Sequence, residues 1–184
     1  MNDNPYAPPT AVVADVVDPA ESSTSAPFFA VSLFKLAVMS LCTAGFYEVY
    51  WFYKNWQLVR EREQSNIWPV VRALFGVIFC YACFSRIRKH GQSIGLAQSL
   101  HAGILAIAWI ATTISWRLPD PYWLLTYFSV AFLLPVQAYV NALNKIAAPE
   151  HDPNSKFTGW NWVAIAVGGI ILALGTLGAF MDLE

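Results

Sequence analysis

Charge is what this sequence has least of. Only 12% of its 184 residues are charged, about half the usual share for a soluble domain, which leaves too little polar surface to cover a water-soluble body. Net charge is -1, so no basic field draws the chain to nucleic acid. Histidine and cysteine are scarce, three of each. Cys42, Cys80 and Cys83 all lie in apolar stretches, where thiols behave as small apolar residues and say little about redox compartment. His90, His101 and His151 have neither metal-ligand spacing nor a carboxylate constellation around them, so the sequence implies no metal and no cofactor. A basic n-region and a short apolar core near Met1, the marks of a cleavable signal peptide, are missing.

What is present is apolar: 57% of the residues are hydrophobic and 15% aromatic. Residues 1–27 stand apart, with five prolines, four acidic residues and neither lysine nor arginine. Such a stretch cannot bury enough surface to offset its ordering entropy and is expected to be a disordered tail. Residues 28–184 are expected to form an all-α membrane domain, a polytopic bundle of four to five hydrophobic helices. Its apolar segments run over 28–53, 69–85, 96–116, 121–143 and 160–180. A helix needs about 20 apolar residues to cross the roughly 30 Å of hydrocarbon. Helices are the open-ended solution in lipid, because each backbone group must bond within its own segment.

Tryptophan placement supports these boundaries. Trp51, Trp56 and Trp68 bracket the first loop, Trp116 and Trp123 a short turn, and Trp160 with Trp162 opens the last segment, the distribution expected of interfacial anchors. Trp109 alone falls within a segment. If all five segments span, five lysines and arginines face one side and four the other, which decides no orientation. If Pro69–Ser85 is instead re-entrant, eight share one side and Arg117 stands alone on the other. The positive-inside rule favours this second arrangement. It has four full spans, the acidic tail outside and the C-terminus outside.

Ionisable residues at membrane depth are the default functional candidates: Lys35, Glu48 and Arg72. Lys35 and Glu48 are thirteen positions apart, about 20 Å along one helix, so each needs another partner. Arg72 or a tyrosine is expected for Glu48, and Asp182 or Glu184 for Lys35. Gln137, Asn141 and Asn144 recur at helical spacing on one face, with Asn161 opening the next helix. Amides of this kind bond across helices in lipid, and beside Pro135 they are also candidates for a ligand site. Gly168, Gly175 and Ala179 line one face of the last segment, suited to close packing within the monomer or in a homo-oligomer.

Two motifs carry little. Gly91-Gln92-Ser93-Ile94-Gly95 fits the G-x-S-x-G pattern, but a nucleophile elbow needs a preceding strand, and this stretch follows an apolar helix. Cys80-Tyr81-Ala82-Cys83 is a lone C-x-x-C without a second ligand pair.

The run Thr43-Ala44-Gly45-Phe46-Tyr47-Glu48-Val49-Tyr50-Trp51 resembles the Thr-x-Gly-x-Tyr-x-x-Tyr-Trp signature of small bacterial integral-membrane proteins classed as a domain of unknown function. Pro135-Val136-Gln137, Val140 to Asn144 and Phe157 to Trp162 are similar as well. The resemblance implies an all-helical bundle in the bacterial inner membrane and brings no catalytic residue, substrate or cofactor. The expected function is therefore a non-enzymatic membrane module that organises lipids or protein partners. The alternative is a small oligomeric transporter or channel using Glu48 and the Gln137, Asn141 and Asn144 face. A membrane enzyme stands third, since no reactive pair is visible.

Overall fold

Thr43 and Gly45 divide the first apolar segment in two. The computed structural model describes residues 25–181, so nearly all of the expected disordered tail, together with Asp182 and Glu184, lies outside the described residues. Helix α1, Leu33–Cys42, starts where the Ser32 hydroxyl accepts from the Lys35 N–H at 3.2 Å, satisfying one of the unpaired donors of the first turn. It ends at Thr43, whose hydroxyl donates to the Met39 carbonyl at 2.6 Å and accepts from the Tyr47 N–H at 3.0 Å. One side chain thus closes α1 and opens α2, Phe46–Glu63. Between them Gly45 sits at φ 84°, a left-handed conformation that glycine adopts without steric cost.

The remaining elements are α3 (Pro69–Leu74), α4 (Gly76–Ser93), α5 (Ala102–Ile114), 3₁₀ turns at Ser115–Arg117 and Tyr122–Phe128, α6 (Ser129–Ala147) and α7 (Gly159–Met181). Pro69 takes the first turn of α3, where its missing N–H costs nothing. The described residues contain seven α-helices and no strand, in agreement with the expected all-α class.

Contacts along the bundle show that successive helices alternate in direction. Arg62, late in α2, donates to the Pro27 carbonyl at 2.8 Å, and Phe28 is bonded by Asn144, late in α6. Arg86 of α4 pairs with Glu63 at 3.2 Å. Lys54 and Glu61 share a surface hollow with Asp152 and Asn154. One end of the bundle therefore gathers the residue 27–28 entry, the turns after α2 and α4, and the loop from α6 to α7. At the opposite end Glu48 meets Ser129, and Trp123 meets Gly175.

Two expectations are corrected by this geometry. Phe28–Tyr53 is not one crossing helix but a helical hairpin, because the Thr43–Gly45 joint reverses the chain. Residues 27–28 consequently enter at the same end as the turn after α2, rather than across the bundle from it. Pro69–Ser85, read either as a span or as re-entrant, lies in two helices broken at Phe75 that return to the end where they began, the path of the re-entrant arrangement. Helix α5 covers 13 residues, about 20 Å at 1.5 Å per residue. Two helices are long and apolar enough to cross a membrane: Tyr122–Ala147, counting the 3₁₀ turn, and Gly159–Met181.

Helix α7 is bare. Its 23 residues include one buried residue, Ala179, while Ile170, Ile171, Leu174, Leu177 and Phe180 are exposed. An apolar face of this length is far beyond the scattered apolar residues of a soluble surface. Where α7 does touch the bundle it comes very close. A Cβ at Gly168 would overlap the Cys42 backbone carbonyl, and Gly175 rests on the Trp123 ring. The Gly168, Gly175 and Ala179 stripe is thus used within the chain.

Candidate functional site

Extended backbone in an apolar interior must find partners outside itself, and the amide face of α6 provides them. Phe28 and Val31 are fully buried, and the strip between them lies against α2 and α6. Asn144 accepts from the Phe28 N–H at 3.2 Å and donates to its carbonyl at 2.9 Å. Gln137 donates to the Phe29 and Val31 carbonyls, both at 3.2 Å, and accepts from Trp51 Nε1. Asn141 donates to the Val31 carbonyl at 3.0 Å and accepts from Gln137 at 2.7 Å. From α2, Asn55 accepts from the Phe29 N–H at 3.1 Å. The expected amide face is real, but apart from Trp51 Nε1 its partners outside α6 are backbone groups more than a hundred residues earlier in the chain, not the following helix. A ligand there would have to displace bonds already made. Asn161 serves α7 instead, exchanging bonds with Thr158 at the helix start in the manner of a capping box.

Lys35 is buried, and its ammonium donates to Asn154 Oδ1 at 2.8 Å and to the Lys156 carbonyl at 2.7 Å. Arg72 does not reach Glu48. Its guanidinium lies over the Trp56 ring at 4.5 Å and the Phe79 ring at 5.1 Å, a cation–π arrangement that keeps the charge on α3 against α2 and α4.

Glu48 has a different environment. It is 3% exposed and sits in the first turn of α2, where the helix dipole favours a negative charge. Trp109 Nε1 of α5 donates to one carboxylate oxygen at 2.6 Å, and the Ser129 hydroxyl at the start of α6 donates to the other at 2.9 Å. Hydrogen bonds to an ionised group are short and strong, and here they tie three helices together. The described residues hold a single ion pair, Arg86 with Glu63, so Glu48 is satisfied by dipoles and not by a cation. Trp109 is the one tryptophan away from the ends of a predicted segment, and that displacement from the belt is the signal the sequence carries for its role. Ser129 carried none.

Beside Glu48 is a cavity of about 350 Å³, at the small end of ligand pockets. Phe46, Phe52, Trp109, Trp116, Trp123 and Tyr127 are among its walls. Phe52 holds the Trp109 ring edge-on at 4.9 Å, fixing the indole that bonds Glu48. The hydroxyl of Thr113, on the cavity wall, is buried without a partner.

The tryptophans divide into two groups. Trp68, Trp116, Trp160 and Trp162 are exposed and Trp123 is half-buried, as anchors would be, whereas Trp51 and Trp56 are fully buried. These two are corrected from anchors to core, because α2 turns them inward onto Gln137 and beneath Arg72. Among the described residues no group of three His, Cys, Asp or Glu side chains is placed to hold a metal. The Ser93 hydroxyl is spent on the His90 carbonyl at 2.8 Å, and Cys80 donates weakly to the Ala106 carbonyl. The site thus offers a positioned carboxyl group in an apolar, aromatic recess, which when ionised is suited to holding a positive group. No protein-family model, curated protein or solved structure matches this chain.

Proposed function

We propose that the chain is a multi-pass protein of the bacterial inner membrane, a non-enzymatic module that organises lipids or protein partners. The observation that supports it most is the distribution of basic residues along a bundle with bare apolar flanks. Lys54, Arg60, Arg62, Arg86, Arg88, Lys89, Lys145 and Lys156 lie toward one end, Arg117 at the other. Short loops rich in lysine and arginine stay in the cytoplasm, so the basic end faces inward. On this reading α5 with the 3₁₀ turn that follows it, α6 and α7 cross the bilayer in succession, α1–α2 and α3–α4 are hairpins entered from the cytoplasmic side, and α7 ends outside. The tail, expected outside, is then cytoplasmic. The Thr43–Trp51 run supports membership of the small bacterial membrane family it resembles, and its residues have a physical reason in the α1–α2 joint.

Reporter fusions test the orientation. Alkaline phosphatase joined after Glu184 is expected to be active, and joined after Ser93 inactive; the reverse pattern, or equal activity, overturns it.

A second reading, a small transporter or channel, is favoured by one observation: Glu48 borders a cavity and has no cationic partner among the described residues. The amides of α6 are committed to backbone, so this reading rests on Glu48. Solute uptake by proteoliposomes that Glu48→Gln abolishes would support it, and uptake indifferent to that change would oppose it.

A further inference from the structure

The recess beside Glu48 combines three features that each select a ligand. A buried carboxylate attracts positive charge and repels anions, strongly so where water is excluded. Ring faces attract the same positive charge, most of all when it is a poorly hydrated organic ammonium, and six aromatic residues are among the walls. Val49, Leu74 and Val77 are also in the lining and favour an apolar body over a hydrated ion. Both Glu48 oxygens already accept one bond each, which orients the carboxylate while leaving lone pairs for another donor. Among the described residues the carboxylate also lacks the further anionic ligands that a dehydrated divalent cation requires.

We propose that this cavity binds an amphiphilic organic ammonium, its charged head at Glu48 and its apolar body against Trp116, Trp123 and Tyr127. Glu48 supplies the charge contact; Trp109 and Ser129 are positioning residues that hold the carboxylate toward the cavity. The chemistry is shared by a free ammonium compound and by the headgroup of an aminated lipid. The proposal rests on the Glu48 cavity alone, so it stands or falls separately from the orientation of the chain.

The test uses the full chain in nanodiscs of phosphatidylglycerol, titrated with benzyltrimethylammonium by calorimetry, with its neutral carbon isostere neopentylbenzene as control. Saturable binding of the cation is expected, with the isostere much weaker. Glu48→Gln, which can still accept from Trp109 and bond Ser129, should weaken the cation at least about tenfold, as loss of a desolvated charge partner does. Thermal unfolding of that variant checks that it is folded. Trp116→Leu, at an exposed position in the 3₁₀ turn after α5, gives a second reading and should weaken binding severalfold with unfolding unchanged. Adding phosphatidylethanolamine to the nanodiscs separates the sources: competition identifies a lipid headgroup as an occupant, and undiminished binding identifies a free ammonium. No saturable binding, equal binding of the neutral isostere, or unchanged affinity in a folded Glu48→Gln protein overturns the proposal.

Discussion

Replacing Asn144 by leucine isolates the claim that the α6 amides hold the residue 28–31 strip. Leucine has a similar volume, so little cavity is created, but the Phe28 N–H and carbonyl both lose their partner. Phe28 is fully buried, so water cannot replace what is lost. Each orphaned group costs about 1–3 kcal/mol, giving roughly 2–6 kcal/mol for the pair, and the extra apolar burial of leucine returns about 1 kcal/mol. Ordinary interhelical hydrogen bonds in membranes average only about 0.6 kcal/mol, so two of them would barely register. The two cases are separable by thermal unfolding in detergent, followed by tryptophan fluorescence. For a chain of this length about 2–4 °C is lost per kcal/mol, so the net loss of about 1–5 kcal/mol should make Asn144→Leu unfold roughly 2–20 °C early. Asn144→Asp, which keeps the acceptor for the Phe28 N–H, should fall between the two. A leucine variant within about 2 °C of wild type would refute the idea that this strip depends on side-chain amides.

Other outcomes follow from particular contacts. Gly45→Ala places a Cβ at φ 84° and should cost about 1–2 kcal/mol, read as a lowered unfolding temperature, although open space surrounds the position. Gly168→Val forces α7 away from the Cys42 carbonyl and should destabilise by about 1–3 kcal/mol or more, with increased protease cleavage in the 148–158 loop; Gly169→Val, in open space, should not. A maleimide should modify the half-buried Cys42 first in the folded protein and reach Cys80 and Cys83, both buried, only after denaturation; simultaneous labelling of all three would contradict the packing of α4.

The parts legible in the sequence were those set by long local patterns. The last segment, read as 160–180, is helix Gly159–Met181, because an unbroken apolar run flanked by polar residues has few other solutions in lipid. The first segment was misread because its break contains no proline: Thr43 and Gly45 interrupt the helix while the surrounding residues stay apolar. Arg72 or a tyrosine is the partner the sequence suggests for Glu48, because a cation or a hydroxyl donor is the obvious way to bury a carboxylate, but the fold uses the dipoles of Trp109 and Ser129, which lie 61 and 81 positions away. Gln137, Asn141 and Asn144 were correctly grouped on one face, yet their partners are backbone groups of a strip whose composition does not distinguish it from helix. Trp51 and Trp56 were placed at the interface because linear position at the end of an apolar run does not reveal which way a helix turns its side chains.

Single cysteines introduced at Lys54, Lys89, Lys156 and Arg117, in a protein with Cys42 replaced by alanine and expressed in intact cells, test the central claim most directly. With a membrane-impermeant maleimide, the account predicts labelling at position 117 alone, and at the other three only after the inner membrane is opened. Labelling of positions 54 and 156 from opposite sides would place a membrane between residues that the fold holds at one end, and would contradict the bundle.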